Sequence, residues 1–176
     1  MSLPAIPIVT IVGKSGSGKT TLIEKLIPEF RRRGYRIGTI KHHLHDFEID
    51  REGKDSWRHA QAGAAAVVVA SPYKLAFVEI TPQDISLDAL RDRLFQQVDL
   101  IIAEGYKTGA HPKIEVFRRS VHDEPLFNHQ NPDLLATVTD SDIDTGVPTF
   151  GLDDVTAIVE FIERALSLSQ TTAHSK

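Results

Sequence analysis

Gly13-Lys14-Ser15-Gly16-Ser17-Gly18-Lys19-Thr20 is a complete G-x-x-x-x-G-K-[ST] loop, and it constrains this chain more than any other segment. Its setting matters as much as its letters. Ile6 to Gly13 (IPIVTIVG) is a short β-branched apolar run, the pattern of a strand buried on both faces. From Lys19 to Arg33 the apolar residues Leu22, Ile23, Leu26, Ile27 and Phe30 recur at helical spacing, and Gly34 is a stop signal. A strand, a glycine loop and a helix in that order let successive backbone N–H groups converge on a phosphate, to which the helix adds the positive end of its dipole. Lys19 is placed for the outer phosphates and the Thr20 hydroxyl for Mg²⁺. A glycine-rich turn with no ligand is the alternative, and the length and setting of the motif disfavour it.

The rest of the chain alternates strands with helices. Pro28 predicts a kink or a break in the first helix. Arg36 to His43 reads as a second strand, Leu44 to Gly53 as a polar loop and Asp55 to Ala62 as a short helix. Ala65 to Ala70 and Leu75 to Ile80, separated by Ser71-Pro72-Tyr73-Lys74, predict a hairpin. A helix over Ile85–Gln96 with Asp84 as N-cap and a buried strand over Val98–Ala103 follow. Weaker strand signals occur at Ile114–Phe117, Leu134–Val138 and Pro148–Gly151, and Asp153 or Asp154 caps a last helix to about Leu168. Residues 169–176 are polar and read as a disordered tail after a single domain, 1–168. The fold class is therefore α/β, a three-layer P-loop NTPase fold with a mostly parallel central sheet, flanked on both faces, and a β-hairpin insertion. Ligands of such sheets sit at the carboxyl ends of the strands, here just after Val12, His43, Ile102 and Val138.

Composition narrows the ligand. The formal charge is −4, which disfavours a general nucleic-acid binder. Yet residues 1–60 hold 11 Lys+Arg against 7 Asp+Glu, and a local basic half suits a small phosphorylated molecule. The absence of cysteine excludes disulfides, thiolate metal sites and thiol nucleophiles, and fits a reducing compartment. The N-terminus lacks the basic region of a signal sequence, and no apolar run approaches the roughly 20 residues of a membrane span. The expectation is a soluble cytoplasmic protein.

A glycine loop of this type needs an acidic partner on a neighbouring strand to hold Mg²⁺ or its water. Glu104, at the exit of VDLIIAE, is the first candidate; Asp99, at the start of that strand, reads as structural. Asp46 and Asp50 are rival or additional ligands in the loop after the second strand. Lys41-His42-His43-Leu44-His45-Asp46 is ambiguous between a polar lining for a phosphorylated ligand, ordinary loop histidines and a transition-metal site. Asp140, ending LLATVTD, can accept both the N1–H and the exocyclic amine of guanine, a donor pair that adenine lacks; a cap or turn carboxylate is the alternative.

The stretches GKSGSGKTTLIEKLIP, GTIKHHLHDFEIDREGKDSWRHAQAGAAAVVVASP and LIIAEGYK together closely resemble the molybdopterin-guanine dinucleotide biosynthesis protein B family, MobB, over roughly residues 6–151. The resemblance implies a GTP-binding P-loop fold with weak GTPase activity, at most a slow Mg²⁺-dependent conversion of GTP to GDP and phosphate. It also implies a homodimer that assists the guanylyltransferase MobA in attaching GMP to molybdopterin. By position it puts Gly16, Gly18, Lys19, Thr20 and Thr21 on the GTP phosphates and Asp46, Asp50, Gly53, Lys54 and Asp55 in a switch-like region. Glu104 takes the acidic role, and Asp140 reads the base by analogy with other GTPases, although Val138 stands where N/T-K-x-D has its lysine. Two other readings stay open: a small-molecule kinase, for which Arg118-Arg119 and Arg91/Arg93 are the arginine clusters, and a metal-delivery protein using His42, His43 and His45.

Overall fold

The computed structural model describes residues 5–43, 47–127 and 131–169. The chain divides into two compact units, one formed by residues 1–42 and 94–176 and the other by 43–93.

The first unit is built on a six-stranded sheet in the order β2-β5-β1-β6-β7-β8, with every neighbouring pair parallel. Its strands are β1 (Ile8–Val12), β2 (Ile37–Lys41), β5 (Leu100–Glu104), β6 (Lys113–Phe117), β7 (Leu134–Thr139) and β8 (Thr149–Phe150). β1 lies at the centre, between β5 and β6. The connection from β5 to β6 is only residues 105–112, far shorter than the dozen or more residues a parallel crossover usually takes. Register explains it. Thr10 pairs with both Ala103 and Lys113, so β6 starts one step below the end of β5 and the chain need not traverse the sheet.

The two faces of this sheet differ in chemistry. On one face Val9, Ile11, Leu100, Ile102, Ile114, Val116, Ala136 and Val138 pack under Leu22, Ile23, Leu26 and Phe30 of α1 (Lys19–Arg32) and Ile158, Val159 and Ile162 of α4 (Val155–Ala165). The other face carries Thr10, Lys113, Glu115, Thr137 and Thr139, all buried. Irregular chain lies there, and irregular chain brings backbone polar groups that must be paired. The sheet supplies the partners. Lys113 Nζ donates to the carbonyls of Gly109 (2.6 Å) and His111 (3.0 Å) and pairs with Asp133 (3.2 Å), while the Glu115 carboxylate accepts the N–H groups of Leu126 and Phe127.

α1 runs through Pro28 unbroken, where the sequence predicts a kink or a break. Buried Leu26 and Phe30 on either side hold the turn against the sheet, and the helix ends only four residues later. Asp154 stands at the N-cap of α4, one of the two predicted residues, but its Oδ2 accepts the Gly151 N–H and Asp153 pairs with Lys25 at 2.7 Å, so no side-chain hydrogen bond caps the helix.

The C-terminal end of α1 is joined to α4 by Arg33, whose guanidinium reaches Glu29 (2.8 Å), Glu163 (2.7 Å) and Glu160 (3.2 Å). Hydrogen bonds from Arg32 and Arg33 hold the Glu29 carboxyl down at about 2, from an ordinary 4.5. A carboxyl depressed by folding stabilises the native state above its ordinary value and loses that contribution as pH falls toward the native one. Glu29→Gln should therefore flatten the pH dependence of the thermal midpoint between pH 4.5 and about 2, measured by circular dichroism against the native protein.

The second unit contains α2 (Asp55–Gln61), the antiparallel hairpin β3 (Ala66–Ala70) and β4 (Leu75–Glu79), and most of α3 (Leu87–Leu94). Ser86 rather than Asp84 caps α3, its hydroxyl accepting the Ala89 N–H at 3.3 Å. Arg93 ties α3 to the hairpin through Glu79 at 2.6 Å. Val68, Leu75 and Phe77 share one face of the hairpin and Val69 and Val78 the other, and all five are exposed.

Candidate nucleotide site at the carboxyl edge of the sheet

β1 delivers the chain to the carboxyl edge, where it turns through residues 13–18 into α1. Gly13 has φ +144°, and a Cβ there would stand 2.4 Å from the Val116 carbonyl oxygen, so the loop lies directly against β6. Gly18 is the N-cap of α1 with φ +98°, a left-handed conformation open to glycine, and no side chain caps the helix. The first-turn N–H groups of α1 are thus left to an anion.

Ser17 sharpens the point. Its hydroxyl is buried and has no hydrogen-bond partner among the described residues. An orphaned hydroxyl costs about 1–3 kcal/mol, and a phosphate or sugar oxygen would supply what it lacks. A phosphorylated ligand fits this loop.

Lys19 folds back over the loop, Nζ donating to the Lys14 carbonyl at 2.9 Å. Burial holds its ammonium below the ordinary lysine value; Glu104 opposes that shift, and the charges of Lys107 and Lys41 reinforce it. Thr20 Oγ1 donates to Glu104 at 3.0 Å (Oε1) and 3.2 Å (Oε2). Sheet order produces this contact, because β5 adjoins β1 and Glu104 pairs in register with both Ile11 and Lys41. Lys41 Nζ stands 4.0 Å from Glu104 Oε2. A hydroxyl and a carboxylate in one place form a hard oxygen set, which fits Mg²⁺.

On the other side of β1 the segment after β6 lies over the loop. His122 Nε2 meets the Ser15 carbonyl at 2.7 Å, which places its proton on Nε2, and Val121 Cγ1 lies 3.5 Å from where a Gly16 Cβ would be. Glu115 anchors the far end of that segment; burial pushes its carboxyl up, and the Leu126 and Phe127 N–H groups and the Lys14 charge pull it back. Asp140 stands at the end of β7. Its Oδ2 accepts Arg118 Nε–H at 3.2 Å, and its Oδ1 accepts the Ser141 hydroxyl at 3.1 Å and the Arg119 N–H at 3.4 Å. Burial would raise this carboxyl, but these hydrogen bonds hold it below the ordinary range.

The structure thus brings Gly13 to Thr21, Glu104 and Asp140 to one edge of the first unit. Asp50, Gly53, Lys54 and Asp55 belong to the second unit. There Asp50 Oδ1 accepts the Arg51 N–H at 2.8 Å, Gly53 has φ +82°, and Lys54 and Asp55 open α2. Asp46 and His45 lie outside the described residues. Among the described residues no three of His, Asp and Glu converge as a metal site. Asp99 bonds the Arg36 backbone N–H at 2.7 Å, in keeping with a structural role. Sequence reasoning missed Glu115 and His122 as site residues and offered Arg118 only in the arginine pair of a kinase reading. The signal was the end of β6, which its mixed Lys-Ile-Glu-Val-Phe pattern obscured.

The family model for molybdopterin guanine dinucleotide synthesis protein B, MobB, matches residues 8–140. The chain is 38% identical over 162 residues to the molybdopterin-guanine dinucleotide biosynthesis adapter protein of Haemophilus influenzae, covering 92% of this chain and 90% of that one. It is 36% identical over 160 residues to the protein of the same name from Escherichia coli, covering 89% and 91%. A crystal structure of molybdopterin-guanine biosynthesis protein B superposes with a TM-score of 0.73 at 36% identity, over 90% of this chain and 99% of that chain. With its P-loop NTPase-like sheet and the loop between β1 and α1, this chain belongs to the MobB family.

Proposed function

We propose that this protein is a GTP-binding accessory factor of molybdenum cofactor biosynthesis, acting in the cytoplasm where molybdopterin is converted to molybdopterin guanine dinucleotide. The observation that carries the nucleotide reading is the convergence of Lys19, Thr20 and Glu104 beside an uncapped helix N-terminus and the orphaned Ser17 hydroxyl. The names of the relatives support the pathway; within it the guanylyltransferase MobA is the partner this reading assigns.

In this reading the backbone of Gly13, Lys14, Ser15, Gly16, Ser17 and Gly18 wraps the phosphates, Thr21 closes the inner end, and Lys19 neutralises the outer charge. Thr20 and Glu104 would hold Mg²⁺, which when bound screens the charge of the outer phosphates. Glu104 can also accept a proton from a water aligned on the outermost phosphorus, which gives at most slow hydrolysis to GDP and phosphate. Asp50, Gly53, Lys54 and Asp55 form the switch-like segment, and Asp140 reads guanine. Among the described residues no helix is long and apolar enough to cross a membrane.

The protein acts as a homodimer through the second unit. A lone two-stranded hairpin is marginal in water, yet both faces of this one are apolar and exposed, Phe77 at 41% and Leu75 at 72%. A second copy packing face to face about a twofold axis covers the same apolar surface on both chains.

Calorimetry with GTP and ATP tests the nucleotide reading. GTP should bind more tightly when Mg²⁺ is present, and Glu104→Gln should remove most of that Mg²⁺ dependence and slow phosphate release about tenfold or more. Tight, exclusive ATP binding would displace it.

A further inference from the structure

A cavity of about 170 Å³ lies beside the glycine loop, lined by Ser17, Gly18, Thr21, Lys25, Arg118 and Leu152. Three observations give it a direction and an occupant. First, Thr20 and Glu104 mark the β5 side of β1 as the end for metal and outermost phosphate, and the cavity opens on the opposite side, where β6, β7 and β8 end. A nucleotide seated with its outer phosphates at Lys19 therefore runs its nucleoside toward this cavity. Second, Ser17, whose buried hydroxyl has no partner among the described residues, is among the residues that line it. Third, its size is well below the roughly 300–1,000 Å³ of pockets that swallow a whole ligand. It suits one ring system or sugar whose phosphates lie outside, in the loop.

The walls suit a flat heterocycle. Arg118 comes off the end of β6 with its Cδ 4.0 Å from the Cβ position of Gly18, and it holds Asp140 through Nε. Leu152 supplies an apolar surface, and the Lys25–Asp153 pair at 2.7 Å closes the rim. A planar guanidinium can lie on an aromatic ring while its edge keeps a carboxylate in place.

Building on the nucleotide reading above, we infer that Arg118 is the nucleoside-gripping residue of the site: its guanidinium covers the purine in this cavity and, through Nε, aims Asp140 at the edge of the base. Lys19 and the loop supply affinity for the phosphate chain. Arg118 supplies the difference between a nucleotide and a bare polyphosphate.

The experiment measures binding of Mg²⁺ with GTP, ATP and inorganic tripolyphosphate to the native protein, to Arg118→Ala and to Arg118→Lys. The native protein should prefer GTP to tripolyphosphate at least tenfold. Arg118→Ala should abolish most of that preference while leaving tripolyphosphate affinity within about twofold, and Arg118→Lys should not restore it, because a lysine lacks the planar fork. Tripolyphosphate binding doubles as the control for a folded loop. A GTP-to-tripolyphosphate ratio unchanged in Arg118→Ala overturns the inference, as does a native protein with no preference for GTP or an equal loss of both ligands in the variant. Failure of the native protein to bind tripolyphosphate at all overturns instead the phosphate-loop reading on which it rests.

Discussion

Lys19→Ala should weaken Mg²⁺·GTP binding by a hundredfold or more while leaving the thermal midpoint of the nucleotide-free protein nearly unchanged. One N–H of the ammonium is already committed to the Lys14 carbonyl, so two remain for ligand oxygens. Hydrogen bonds from a charged donor contribute about 1.5–3 kcal/mol each, and a factor of ten in affinity is about 1.4 kcal/mol. Losing both therefore outweighs any relief of Lys19 from its partly desolvated position. The stability arm follows from the geometry: Lys19 sits at the first turn of α1, and the helix is fastened by Leu22, Ile23, Leu26 and Phe30. Titration calorimetry together with thermal melting checks both arms. Unaltered GTP affinity would remove the phosphate role of the loop.

If the proposed homodimer forms through the hairpin, Phe77→Asp should dissociate it, raising its dissociation constant about a hundredfold or more in sedimentation equilibrium. Phe77 shares a hairpin face with Val68 and Leu75. Burying an aromatic side chain contributes about 1.5–3 kcal/mol, twofold symmetry counts the loss twice, and a carboxylate in an apolar contact adds a desolvation cost. The monomer should survive, since Phe77 lies outside the buried core, with the Arg93 guanidinium 5.7 Å over its ring. A mass distribution identical to that of the native protein would show that the hairpin does not carry the dimer.

What could be read from the sequence divides by range. The strand–loop–helix around Lys19, the buried β5 and its terminal Glu104 announce themselves in contiguous residues, because periodicity and glycine placement are local signals. β6 did not. Lys113 and Glu115 alternate with apolar residues as in a strand wet on one face, yet both are buried, because loop carbonyls and N–H groups from elsewhere satisfy them. The same limit hid the pairing of Arg118 with Asp140. Asp140 could be singled out as a strand-end carboxylate, but its ion pair joins the ends of two different strands, and only the β6–β7 register brings them together. The choice of Ser86 over Asp84 as cap is a smaller case: both residue types cap well, and their separation is within the uncertainty of any helix boundary.

The central position of β1 also sets an order of events during synthesis. Its partners are β5 and β6, so Ile8 waits for Ile101 and Ile11 for Ile114. Pairing over such sequence separations is slow to form and leaves apolar surface uncovered meanwhile. A nascent chain that ends before Leu100 already carries the whole glycine loop, Lys19 included, but has neither neighbouring strand to hold it nor the Glu104 carboxylate to face Thr20. The glycine loop is thus encoded among the first residues to be made, and its surroundings are assembled only after most of the chain has emerged.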